Sequence, residues 1–268
     1  MDLRAGTCGW AFDDWKATFY PDGVRDDLDY YSSVFRVVEI DSTWYRIPAA
    51  KTVTGWRQRT PAGFLFCPKL PGEITHERLL VDVEEPLQRF LDAIGLLGQR
   101  LGPIVVQLSP QFRADQLPRL EGFLHALPRS NRYAVEFRHR TWLEEPRALE
   151  ILRELEMAVV MADHPWYPRI EEVTAPFAYI RLLGRRGVFP DFSRIHGPKD
   201  DALAHWAEVI AATTDLAEQV FVLVNNQFEG HSPRSVQRLL GLLAPELVPH
   251  VPDVRAAGPT QLSLIEDD

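Results

Sequence analysis

The sequence is poor in the features that would fix a function quickly. It has two cysteines, Cys8 and Cys67. They are too few for a disulfide framework or a structural zinc cluster, and they read as small buried core thiols. No apolar run approaches the roughly 18 residues of a spanning helix, so no membrane partner is expected. The start, MDLRAGTCGW, lacks a signal-peptide pattern because a strand-like segment begins almost at once, and the expected location is the cytoplasm. Excess positive charge is also missing. A net charge of −9 argues against a generally basic, nucleic-acid-coating surface, though it leaves room for a local basic patch. Neither GxGxxG nor a Walker-type loop follows the first strand-like run, which has Thr7-Cys8-Gly9-Trp10 instead. There is no HxH, HExxH or CxxC, and His76, His139, His164, His196 and His231 are scattered over different loops. A divalent metal is therefore weakly signalled; barrel ligands can come from separate strands, so the cofactor stays open.

What the chain does contain is regular. Its 268 residues, 46% hydrophobic and 25% charged, suit a soluble globular protein able to bury a sizeable core. Twenty-one prolines and sixteen glycines, evenly spread, indicate many short loops rather than a linker. Eight β-type runs recur: Arg4–Gly9, Val37–Thr43, Phe64–Lys69, Pro103–Ser109, Tyr133–Arg138, Ala158–Asp163, Phe177–Leu183 and Val220–Asn226. Most are followed by helical spacing, as in Pro86–Gln99, where Leu87, Phe90, Leu91, Ile94 and Leu97 recur at three and four. Leu117–Leu127, Pro146–Glu156, Ala202–Ala217 and Ser235–Leu243 repeat the pattern. This alternation predicts a single α/β domain, a (β/α)8 TIM-type barrel over residues 1–250, with a short tail over 251–268. An open, doubly wound sheet is the competitor. One unit departs from the ideal: HPWYPRIEEVTAP, between Asp163 and Phe177, predicts an abbreviated sixth helix.

Polar residues recur near the C-terminal ends of the strands, where barrel enzymes build their sites. In VEIDSTWY, Glu39 and Asp41 share one face of an apolar strand, an arrangement that needs that face to open onto a site. EFRHRTW concentrates the most chemistry. Glu136 and Arg138 share a facing and suit an ion pair, His139 is of the type that titrates near neutral pH, and Trp142 offers an apolar wall. Glu136 or His139 is the expected general base, while Glu39 with Asp41 positions a water or a cation. Lys69, Arg138 and Arg181 would bind an anion, and the amides Asn225 and Asn226 would orient a polar substrate. The same acids read somewhat better as structural salt bridges to those three cations, because the numbers of acids and bases nearly match. Loops expected at the mouth hold Trp10, Trp15, Trp44, Tyr45, Arg46, Lys69, His139, Arg140, Trp142, Trp166 and Tyr167, and the segment after strand seven adds Arg185, Arg186, Phe189, Phe192, Arg194 and His196. Cations beside flat rings favour a small anionic or nucleotide-like ligand, or a single strand of DNA. Two functions follow, beside a third reading as a structural barrel with a vestigial pocket. One is a hydrolase-like enzyme acting on a phosphorylated or nucleic-acid-derived substrate. The other is a non-catalytic module that binds a nucleotide or nucleic acid and is recruited to replication or repair by its tail.

Six motifs fall in order: GTCGW, VEIDSTWYR, FLFCPKL followed by Thr75-His76, GPIVVQLSP, EFRHRTW and VNNQ. Together they resemble the YecE-like family, whose domain of unknown function bears the number 72. The resemblance runs from about Gly6 to Leu243 and implies a TIM-type barrel with no established reaction. The family's patterned positions map onto Gly6, Gly9 and Trp10, then Glu39, Thr43 and Tyr45, then Lys69, His76 and Gln107. They continue with Glu136, Arg138, His139 and Trp142, and end with Arg181, Asn225 and Asn226. Trp10, Tyr45, His76 and Gln107 thereby join the expected substrate-binding set. Two positions depart from the family. Its Arg-x-His-Gly on strand seven has Leu183 in place of histidine, and its Asn-Asn-Asp on strand eight has Gln227 in the third place. Were those residues a base and a metal ligand in relatives, this pocket would be altered.

In the tail, Gln261-Leu262-Ser263-Leu264-Ile265 resembles the Gln-Leu-x-Leu-Phe peptide by which bacterial replication and repair proteins dock on the sliding clamp. Leu262, Leu264 and Ile265 would enter an apolar groove while Gln261 satisfies polar groups beside it, with Ile265 filling an aromatic pocket poorly. The alternative is a tail packed on the barrel's own surface. A pull-down with the clamp is expected to retain the wild-type chain and to lose the Leu262→Ala, Leu264→Ala double variant. Equal retention of both removes the clamp reading.

Overall fold

The chain, seen in a computed structural model, is described over residues 2–16 and 18–249. Gln261, Leu262, Leu264 and Ile265 lie outside the described residues. Strands buried on both faces need no alternation of polar and apolar residues, and the short apolar runs meet that condition. They form β1 Asp2–Cys8, β2 Val37–Ile40, β3 Leu65–Pro68, β4 Ile104–Gln107, β5 Tyr133–Glu136, β6 Ala158–Asp163, β7 Phe177–Leu182 and β8 Gln219–Val224. All neighbouring pairs are parallel, in the order β3-β2-β1-β8-β7-β6-β5-β4.

The two ends of that sheet meet and close the barrel. Gly102 N–H donates to Phe66 O (2.8 Å) and Leu70 N–H to Val105 O (3.0 Å), with a bridge at Lys69–Val105. This β3–β4 seam is sparse for a local reason. Leu65 N–H is spent on Arg36 O next to β2 (2.9 Å), so Phe66 and Pro68 face β4 by alternation. Pro68 has no N–H to give.

The helices are α1 Asp27–Val34, α2 Ser42–Tyr45, α3 Ala50–Arg59, α4 Glu84–Gly95, α5 Leu117–Ala126, α6 Pro146–Glu154, α7 Asp200–Thr213 and α8 Ser232–Leu243. Their apolar stripes pack on the outside of the barrel, and Phe66, Val106, Val135 and Ile180 belong to that layer. Inward-facing Cys67, Ala134, Val160, Tyr179 and Phe221 fill the cylinder. The architecture is a (β/α)8 barrel. The expected shortening of the sixth helix is complete: no described residue between β6 and β7 is helical. Pro165, Pro168 and Pro176 withhold backbone donors there, and Thr174 anchors the segment instead. Its hydroxyl donates to Met157 O (2.7 Å) and accepts from Val159 N–H (2.8 Å). No helix among the described residues is long and apolar enough to cross a membrane.

Strand two ends earlier than its sequence suggests. Asp41 has φ −66° and ψ −27° and leads into α2, so it leaves the strand face it was expected to share with Glu39. The run stops there because Thr43 ties the turn down. Its hydroxyl lies 2.8 Å from both Ile40 O and Lys69 O and accepts from Lys69 N–H (2.9 Å).

At the start of α8, Pro233 follows Ser232 and His231 is the cap, its Nδ1 accepting Arg234 N–H (3.2 Å). Burial, and then the charge of Arg234, hold His231 at about 4 against an ordinary 6.5. The folded value lies below the unfolded one, so acid protonates the unfolded chain first. The contribution of neutral His231 is complete above about 6.5 and is lost as the pH falls towards 4. A His231→Asn variant keeps a capping oxygen but does not titrate. Urea unfolding should show it losing roughly 3 kcal/mol less than the parent across that window. An unchanged pH slope would contradict the assignment.

Candidate functional site

The C-terminal ends of the strands surround a cavity of about 800 Å³. Its floor is Arg181, near the end of β7 and 2% exposed. One amino group of Arg181, Nη2, lies 2.5 Å from Glu39 Oε1 on β2, while Nη1 donates to Glu136 Oε2 on β5. Tyr179 OH donates to the other oxygen of Glu39 (3.0 Å). Arg138 stands above Glu136. Its Nε donates to Glu136 Oε1, Nη2 to Gln107 Oε1 (2.6 Å) and Nη1 to Tyr167 OH (3.1 Å). Its guanidinium also lies 4.4 Å from the centre of the Tyr167 ring. Lys69 Nζ, just past β3, pairs with Asp41 Oδ1 at 3.1 Å.

Burial and charge pull these groups apart. Burial pushes Glu136 up, but Arg138 and Arg181 outweigh it and hold the carboxyl at about 2. At Glu39 burial wins over Arg181, and its pKa is raised. At Asp41 burial is outweighed by Lys69 and Arg181, so the group is held low and stays ionised. His76 is held at about 4 by burial, then by Arg138 and Lys69, and is a neutral imidazole at neutral pH. Its Nδ1 lies 2.8 Å from Thr75 Oγ1.

Most of the expected binding residues do converge. Trp10, Asp41, Tyr45, Lys69 and His76 line the cavity, as do Gln107, Arg138, Arg181, Asn225 and Asn226. The three expected catalytic residues do not. Glu39 and Glu136 lie beneath the wall, fully buried behind Arg181 and Arg138. His139 caps the turn over 140–144 instead: its Nδ1 accepts Thr141 N–H (3.2 Å) and sits 2.9 Å from Thr141 Oγ1. Trp142 is no wall either. It is 2% exposed, stacks with Phe112 and gives its Nε1–H to Phe112 O (2.9 Å). The cause is shared. β5 ends at Glu136, and the following turn carries residues 139–142 out towards the helix layer.

Sequence reasoning missed Cys8 and His164, which both line the cavity. Cys8 gets there by ending β1, a position no local pattern marks. His164 gets there because the sixth crossover has no helix to carry it away, and its ring stacks on Tyr167 (3.7 Å between centres). Leu183 and Gln227, the two departures from the family pattern, both lie in the cavity wall. Between them Gly184 is obligatory: its φ is +69°, and a Cβ there would sit 2.0 Å from Gln227 O.

Asn226 has a defined orientation. Its Oδ1 accepts from Ser232 N–H (2.9 Å), Ser232 OH (2.7 Å) and Trp15 Nε1–H (3.2 Å), which leaves its NH2 for other partners. That NH2, Trp44 Nε1, Arg181 Nε and Gln227 Oε1 are buried without a hydrogen-bond partner, and all four residues line the cavity. Such groups need a partner, and a water, an ion or a ligand in the cavity would supply one. Metal binding is a poorer fit. Ligand atoms of Cys8, Glu39 and Asp41 lie within 4.8 Å of one another. However, Arg181 and Lys69 already supply the positive charge at this trio, and burial pushes the Cys8 thiol well up, away from its ligating thiolate form.

Comparison with known proteins places this geometry in a family. The family model described as "Protein of unknown function DUF72" matches residues 4–257. The UPF0759 protein YecE of Escherichia coli is 36% identical over 123 residues, 45% of this chain and 45% of the relative. The chain thus matches about half the length of that protein. The UPF0759 protein YunF of Bacillus subtilis is 24% identical over 90% of this chain and 94% of its own. Among solved structures, a DUF72 family protein from Thermotoga maritima superposes with a TM-score of 0.78 at 26% identity, covering 90% of this chain and 99% of that one. One from Enterococcus faecalis gives 0.73 at 22%, covering 90% and 95%, and supports the fold alone.

The buried charges yield a stability prediction. Arg181→Met leaves Glu39 and Glu136 facing each other across the barrel with Arg181 gone. The expected cost is roughly 3–5 kcal/mol by urea unfolding. Glu39→Gln, which leaves Arg181 paired with Glu136, should cost less. A loss below about 1 kcal/mol for Arg181→Met would mean that the cluster does not hold the mouth together.

Proposed function

The chain belongs to the DUF72 family, and we propose that it is a hydrolase-like enzyme that takes a phosphorylated or nucleic-acid-derived substrate into the mouth of its barrel. One observation carries the proposal: Lys69, Arg138, Arg181 and Arg186 border a single cavity whose walls include Trp10, Trp44 and Tyr167. Cations beside flat rings suit an anionic group joined to a planar one. Lys69 and Arg138 bind the anion, while Asn225 and Asn226 orient the rest of the substrate. Glu39 and Glu136 act behind the wall as positioning residues, fixing Arg181 and Arg138. The base is then Asp41, the ionised carboxylate that borders the cavity: it takes the proton of a water whose oxygen bonds to phosphorus as the ester P–O bond breaks, and the leaving oxygen regains that proton. Neutral His76 offers a hydrogen-bonding group beside it.

A second reading is a binding module without chemistry. It is favoured by the pairing of both deep acids with arginine, which leaves Asp41, itself held by Lys69, as the cavity's carboxylate. Recruitment through the tail peptide belongs to that reading.

Calorimetry and product analysis with 5′-mononucleotides and sugar phosphates separate the two. Binding is expected to weaken roughly tenfold in Arg186→Ala, a loss of one charge-assisted contact. Turnover at saturating substrate should drop at least ~100-fold in Asp41→Asn, while affinity holds or rises because Lys69 loses its carboxylate partner. Undiminished turnover in that variant removes the base assignment. Salt-sensitive binding with no product puts the module first. If no phosphorylated compound binds, the proposal fails.

A further inference from the structure

Cation and ring contacts do not stop at the cavity wall. From the floor outward, Arg138 lies against Tyr167, Tyr167 stacks on His164 (3.7 Å between centres), and His164 meets the edge of Trp166 (5.4 Å). Arg185 sits 5.4 Å above the Trp166 ring, and its chain neighbour Arg186 reaches Tyr45 OH at 3.4 Å. Trp166 is 65% exposed and Tyr45 is 68% exposed. Arg186 and Tyr45 border the cavity, but Arg185 and Trp166 lie outside it.

That outer pair is the informative one. A cavity of about 800 Å³ already encloses a mononucleotide, which would have no use for a ring and a guanidinium beyond the rim. Two adjacent arginines on a chain of net charge −9 are a local basic feature on an acidic body, suited to a polyanion rather than to a general attraction. Successive bases stack on successive aromatic faces whatever their identity, and arginine adds both a stacking plane and a phosphate contact. Burial, and then the charge of Arg138, hold His164 below its ordinary pKa, so neutral rings packed on each other back the exposed Trp166.

We infer that the ligand is a single nucleic-acid strand entered by its end, with one nucleotide in the cavity and the next stacked on the Arg185–Trp166 pair outside it. This rests on the reading of the cavity as a site for a phosphorylated ligand and extends it to a polymer. Recognition is by stacking and phosphate contacts, so it is tolerant of base sequence.

The test is a titration of the full chain with thymidine 5′-monophosphate and with 5′-phosphorylated thymidylate oligomers of two to four nucleotides. Affinity is expected to rise roughly tenfold or more from one nucleotide to two, and to gain salt dependence with length. A Trp166→Ala, Arg185→Ala variant, altered only at exposed positions, should lose that increment and keep its affinity for the monophosphate. If the monophosphate binds and the oligomers bind no tighter, or if the variant keeps the increment, the strand inference is overturned while the cavity reading stands. If neither monophosphate nor oligomers bind, the strand inference falls, and the cavity reading falls with it when sugar phosphates do not bind either.

Discussion

One guanidinium holds the mouth of this barrel together. Arg181 joins β7 to Glu39 on β2 and Glu136 on β5, strands far apart around the cylinder. Two carboxylates buried at the same level repel each other and are expensive to desolvate, so neither could stay ionised there without a cation between them. That constraint propagates. Glu136 spends its second oxygen on Arg138, which also holds Gln107 and Tyr167, so the position of the cavity's upper cation is set by the buried acid below it. The opposing pulls at the two acids follow from the same arrangement. Glu136 has two arginines and sits low, while Glu39 has one and sits high.

The barrel was legible because its strands are short apolar runs with polar residues at one end. β6 lies over the residues its sequence marked, Ala158–Asp163, and the proline-rich crossover after it lacks a helix for the reason its composition gave. The cavity wall was legible for the same reason. A strand that must be buried along its length can place Lys69, Gln107 or Arg181 only where the barrel opens. Pairings between strands were not. Arg181 is 142 residues from Glu39 and 45 from Glu136, and no local pattern says that it lies between them. EFRHRTW misleads by its density. Glu136 and Arg138 are strand-end residues, but the turn after them spends His139 on Thr141 and Trp142 on Phe112. Asp41 illustrates the reverse case. It left the strand face assigned to it, yet the turn that moved it placed its carboxylate beside Lys69 at the cavity.

The resemblance in sequence motifs, from about Gly6 to Leu243, and the match of the family model over residues 4–257 cover the same stretch of chain. Leu183 and Gln227, the two departures that the resemblance marks, lie in the cavity wall, so those two differences would bear on a ligand rather than on the scaffold. Leu183 takes away a polar group where the pattern has one. Gln227 keeps an acceptor but not a charge.

The seam between β3 and β4 is the least reinforced join in the barrel wall. Lys69 leaves β3 and Gln107 ends β4, so the two stand on opposite lips of the join where Pro68 withholds a backbone donor. Few backbone hydrogen bonds close the ring there, and both lips face the cavity, so the thinnest part of the wall is also part of the surface a ligand would meet.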